Sequence, residues 1–142
     1  MCHVVDRAVT FGTLVFGGIM DRYPDLKICL GHAGGYAPFG VARMDKTWRA
    51  ADPEVPEFAD ARLPKPPSEY LNRFYYDSCT YTEETLRFLI DAVGIDRVVL
   101  GTDYPAPMVQ EDPVDWLEKM QGISDAERKA ILETNPATML GL

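Results

Sequence analysis

Apolar residues recur along this chain at two different spacings. Over residues 4–20 they cover the whole helical circumference (Val4, Val5, Ala8, Val9, Phe11, Leu14, Val15, Phe16, Ile19 and Met20). That pattern predicts a helix packed on several sides and broken near Gly17-Gly18. Tyr23-Pro24-Asp25 reads as a turn. The short apolar run from Lys27 to Gly31 then predicts a buried strand ending at His32 and the glycine pair Gly34-Gly35. A helix is expected from Ala37 or Pro38 to Ala50, with Val41, Met44 and Trp48 on one face. Pro38 suits its first turn, where the missing N–H would have lacked a partner anyway.

Five prolines over 52–67 predict a long surface loop inside one domain. The aromatic segment 73–78 reads as a second strand. Thr80 to Glu83 has capping-box spacing, and Leu86, Leu89, Ile90 and Val93 form an amphipathic helical stripe stopped at Gly94. Val98-Val99-Leu100 is a run of three apolar residues, as in a strand buried on both faces of a parallel sheet. Asp103 stands where that strand should end, and Pro105 cannot donate to a ladder. Asp112-Pro113 opens a helix carrying Trp116, Leu117 and Met120. Ser124 to Glu127 is a second capping box, and Asn135-Pro136 opens a last short turn.

The order is thus one helix followed by three strand–helix units, which implies parallel strands joined by right-handed crossovers. Three such strands leave two unpaired edges. A complete (β/α)₈ barrel takes about 250 residues. The expected fold class is therefore α/β, a partial (β/α)₈ TIM barrel of about three C-terminal βα units, with residues 1–142 forming part of one larger domain.

Composition narrows the function classes. A net charge of −8 over 142 residues disfavours nucleic acid or an anionic membrane as partner. Cys2, Cys29 and Cys79 are odd in number and lack CxxC spacing, as expected in a reducing cytoplasm. No basic segment precedes an apolar stretch of signal-peptide type, and no apolar run reaches about 18 residues. A cytoplasmic location is expected.

Two candidates for chemistry stand at strand ends, where ligands gather in parallel α/β folds. Asp103 follows one strand. His32 follows another, beside glycines that permit close approach of backbone or ligand. Meeting in one barrel mouth, they suit metal ligation or proton transfer. The alternative is a buried histidine satisfying backbone carbonyls and an aspartate capping the turn before Pro105. Asp77 also ends a strand, where a turn or capping role is expected. His3 has no partner pattern, so a structural or exposed role is expected, and composition alone puts Arg43 on a solvated face. Tyr36 and Tyr104 could line a pocket, although aromatics in such places more often serve packing. The glycines from Gly31 to Gly35 lack both phosphate-loop patterns.

Together, Leu26 to Gly35, Arg43 to Trp48 and Val99 to Pro105 resemble the amidohydrolase-related metal-dependent decarboxylases, the family of aminocarboxymuconate-semialdehyde decarboxylase. Phe16 to Asp25 and Asn135 to Leu142 match the same style. The resemblance implies a barrel with one divalent metal, usually zinc, at its C-terminal mouth. Asp103 matches a metal ligand at the end of the eighth strand. His32 matches the histidine ending the sixth strand, which acts in proton transfer. Arg43 matches an arginine that reaches a substrate carboxylate across a dimer contact.

Relatives draw further ligands from a His-x-His motif on the first strand and a histidine after the fifth. This chain has only His3 and His32, and His3 lies too close to the sixth strand to match. Catalytic zinc keeps three protein ligands and an open position, so Asp103 and His32 do not suffice. The expected activity is decarboxylation of an unsaturated or aromatic carboxylic acid, incomplete in this chain. The alternatives are a hydrolase of the same family, or a non-catalytic truncated or split-gene fragment. The expected partners are a small carboxylic acid and either a second copy or a complementary N-terminal barrel segment.

Overall fold

Three short parallel strands form the centre of the molecule. In the computed structural model, which describes residues 2–50 and 63–142, they are β1 (Cys29–Leu30), β2 (Tyr75–Asp77) and β3 (Val98–Val99), in the order β1-β2-β3. Leu30 lies opposite Tyr76, which lies opposite Val98, and Asp77 lies opposite Val99. Tyr76 and Val98 are fully buried and Leu30, Tyr75 and Val99 nearly so, as the continuous apolar runs require.

Helices cover this sheet. They are α1 (Cys2–Phe16), α2 (Ile19–Arg22), α3 (Ala37–Ala50), α4 (Glu83–Val93), α5 (Pro113–Glu118), α6 (Asp125–Lys129) and α7 (Asn135–Leu140). α4 buries the stripe Leu86, Leu89, Ile90 and Val93, while Phe11 of α1 packs on Phe74 with ring centroids 5.2 Å apart. Two buried polar side chains tie elements together. Asp45 of α3 accepts hydrogen bonds from the backbone N–H and hydroxyl of Ser68. The Asn135 amide donates to the carbonyls of Ile95 and Val98, both at 2.7 Å.

The structure corrects several local expectations. Only the Phe11–Val15 face of α1 is buried, and Val4, Val5, Val9 and Phe16 remain exposed, so this helix is not packed on several sides. The cap of α4 is Thr82, whose side chain accepts the Thr85 N–H. Glu83 closes no box with Thr80 but accepts N–H groups from Gln121 and Gly122.

Most of the proline-rich segment 52–67 lies outside the described residues. Pro67–Arg73 forms a 3₁₀ helix that buries Tyr70 and Leu71, where the pattern of prolines predicts only loop up to residue 67. The second capping box is present at Ser124 and Glu127. The final segment is more than a turn: a π-helical stretch, Ala130–Thr134, leads into α7. The wider ladder accommodates Pro136, which lacks an N–H and crowds the preceding turn.

Candidate active site

A polar side chain stands at the C-terminal end of each strand. Asp77 is the last residue of β2, His32 follows β1 after Gly31, and Asp103 lies four residues beyond β3. Asp77 organises this edge. Its carboxylate accepts the backbone N–H groups of His32 at 2.9 Å, Ala33 at 2.8 Å and Cys79 at 3.2 Å. The neighbouring strand can close on Asp77 because position 101 is glycine, where a Cβ would stand 2.5 Å from the Cβ of Asp77. The expected turn or capping role of Asp77 is what the structure displays.

His32 and Ala33 both have φ 55°, and Asp103 has φ 60°. Each such non-glycine residue in the left-handed region costs about 1–3 kcal/mol and persists only where its surroundings over-determine it. At His32 and Ala33 the Asp77 carboxylate supplies that restraint. Near Asp103 the loop is closed by its own carbonyl, which accepts from Ala106 N–H at 2.8 Å, and by Thr102 O, which accepts from Gln110 N–H at 2.8 Å.

The two residues singled out from the sequence meet: His32 Nε2 lies 3.2 Å from Asp103 Oδ1, with both side chains about one-fifth exposed. With Nε2–H donating to the carboxylate, Nδ1 is a buried acceptor without a partner among the described residues. These groups line a cavity of about 350 Å³ together with His3, Cys79, Thr80 and Tyr81. Burial, and then the Asp77 charge, push the Cys79 thiol up to about 12, which disfavours the thiolate that a nucleophile would need.

His3 is exposed, in keeping with the expected exposed role, but it is not remote from the site. Its ring centroid lies 5.5 Å from that of His32, on the wall of the same cavity. Position 35 allows this. A Cβ on Gly35 would collide with the Val4 carbonyl, which instead accepts the Tyr36 N–H at 3.2 Å. The first turn of α1 is thereby drawn against the turn that carries His32. The signal in the sequence was the second glycine after His32. Arg43 is on α3, exposed and away from the cavity wall. Tyr36 and Tyr104 are 50% and 82% exposed, and neither lines this cavity.

Among the described residues, no three His, Cys, Asp or Glu side chains are grouped to hold a metal ion. Asp77 is occupied by three amides, leaving Asp103 and the His32 paired with it. These residues do not complete a metal site.

A sequence profile described as Amidohydrolase matches residues 7–142. The chain belongs to the amidohydrolase family. Its similarity to 2-amino-3-carboxymuconate-6-semialdehyde decarboxylase of Dictyostelium discoideum is 35% identity over 130 residues, covering 92% of this chain and 35% of that protein. Gamma-resorcylate decarboxylase of Polaromonas sp. is 33% identical over 130 residues, covering 89% of this chain and 37% of that enzyme.

Among solved structures, the dihydroxybenzoic acid decarboxylase of Polaromonas sp. JS666, with bound manganese and the inhibitor 2-nitroresorcinol, superposes with a TM-score of 0.78 at 30% identity. That match covers 95% of this chain and 40% of the other. This amidohydrolase chain thus spans well under half the length of these relatives, and its three parallel strands fit part of a barrel. The metal in the Polaromonas structure is manganese rather than the zinc expected from resemblance. No described helix of the chain is long and apolar enough to cross a membrane.

Proposed function

We propose that the protein containing this chain decarboxylates a small unsaturated or aromatic carboxylic acid, and that this chain supplies the C-terminal βα units of its barrel. The 3.2 Å contact between His32 Nε2 and Asp103 Oδ1 at the strand ends carries the reading. The decarboxylases similar in sequence and structure support it.

Loss of CO₂ breaks the carbon–carbon bond to the carboxylate and leaves an electron pair that must take up a proton. His32, facing the cavity from a rigid turn, is the group that holds and moves that proton. Asp103 accepts the imidazole N–H and orients the ring. In the full protein Asp103 would also be one ligand to a divalent cation, which would need further donors besides the described residues and would supply Lewis-acid stabilisation of developing negative charge. Resemblance favours zinc, whereas manganese is the metal of the solved relative. Arg43, remote from this cavity, contacts the substrate carboxylate from a second copy of the chain.

The test is release of labelled CO₂ from carboxyl-¹³C acids, including 2,6-dihydroxybenzoate, the ligand of a solved relative. The full protein is supplied with manganese or zinc. Label appearing as CO₂ is the expected result. Cleavage of an ester or amide without CO₂ would replace this reading with hydrolysis.

A second reading applies to the 142-residue chain by itself: that it is catalytically silent until a complementary segment joins it. The observation favouring this is the lack of a three-donor group among the described residues.

A further inference from the structure

The polar side chains that share the cavity with His32 and Asp103 are nearly all engaged. Thr80 Oγ1 donates toward the carbonyls of Ser78 and Thr82. Tyr81 Oη donates to Met108 O at 2.8 Å, and the Thr85 hydroxyl shares a 2.9 Å hydrogen bond with that of Thr82. The Cys79 thiol is buried and offers only a weak S–H donor. His3 differs. It is exposed and stands against the His32 ring, and its own ring makes no hydrogen bond among the described residues.

Charge sharpens the point. The wall carries the Asp103 carboxylate, while no Lys or Arg lines it among the described residues. A carboxylate entering this space is repelled by Asp103 unless N–H donors meet it. His32 already directs one nitrogen to Asp103.

We propose that His3 is a substrate-binding residue, its imidazole N–H donating to a carboxylate or adjacent hydroxyl oxygen of the acid. This rests on the reading of the cavity as a site for small carboxylic acids, but it does not require CO₂ loss. The helix α1 then contributes to recognition as well as to packing, and the chain presents two imidazoles to one ligand.

The chain contains two histidines, so histidine-selective labelling gives two sets of ring signals in an NMR spectrum. His3→Gln and His32→Gln assign them. Titration of the full chain with 2,6-dihydroxybenzoate should move both rings with one Kd. The exposed substitution His3→Gln should weaken that Kd about tenfold with the unfolding midpoint unchanged. A His3 signal that stays fixed while His32 moves, silence from both rings, or a His3→Gln Kd within about twofold of the parent overturns the assignment. Binding that moves both rings, with no CO₂ released by the metal-supplied full protein in the labelled-acid test, refutes decarboxylation and leaves His3 as a ligand-binding residue.

Discussion

The Asp77 carboxylate accepts the backbone N–H of His32 at 2.9 Å, so the end of β2 sets where the imidazole after β1 stands. The same carboxylate holds Ala33 and Cys79. Asp77→Ala would leave three N–H groups without their acceptor and release two residues from left-handed backbone. A loss of about 2–3 kcal/mol is expected in urea unfolding, because unsatisfied donors cost more than a formed bond contributes. Asp77→Asn keeps one acceptor oxygen and should lose less.

Gly34 has φ 72°, and a Cβ there would lie 2.6 Å from the Tyr76 ring. That ring is fully buried, with its hydroxyl donating to Leu71 O at 2.9 Å. Gly34→Ala meets both steric overlap and an unfavourable backbone, so a destabilisation of at least about 2 kcal/mol is expected. Tyr76→Phe keeps the packing and removes one hydrogen bond, for about 1 kcal/mol. Thermal unfolding of the two variants should rank them in that order.

Glu127 gives a pH dependence. The Arg87 guanidinium, and then the Ser124 backbone N–H, lower its carboxyl to about 2 from 4.5. A depressed folded value means that the stabilisation is present above pH 4.5 and is lost as pH falls from there toward 2. The pair is partly exposed, so its contribution after solvent screening is about 1 kcal/mol. Glu127→Gln should therefore cost about that much at pH 7. The gap from the parent should close as acid is added, as read by urea unfolding at both ends of the range.

Metal retention by the 142-residue chain follows from its donor set. With Asp103 and His32 paired and no third donor grouped with them among the described residues, dialysis against manganese or zinc should leave substoichiometric metal. Elemental analysis giving one tightly held ion per chain would show that the site is closed within this chain.

Periodicity made parts of this fold readable. The stripe from Leu86 to Val93 announced α4, and the apolar runs before His32 and Asp103 announced strands whose ends carry polar groups. Parallel topology then brought those ends together across 71 residues of sequence. Other features depend on contacts that no spacing encodes. His3 reaches the site because Gly35 admits the Val4 carbonyl, a tertiary approach invisible in the helical pattern of α1. Thr82 rather than Thr80 caps α4, because Thr80 is buried and bonded to local carbonyls. The 3₁₀ helix Pro67–Arg73 was hidden by prolines that read as loop.

The division of roles between the paired side chains is the central claim, and one measurement on the full protein addresses it: bound metal and CO₂ release in Asp103→Ala and His32→Ala, side by side. Asp103→Ala should lose both metal and turnover. His32→Ala should keep its metal and lose turnover by at least about a hundredfold. Loss of metal in both variants, or turnover persisting without His32, would contradict it.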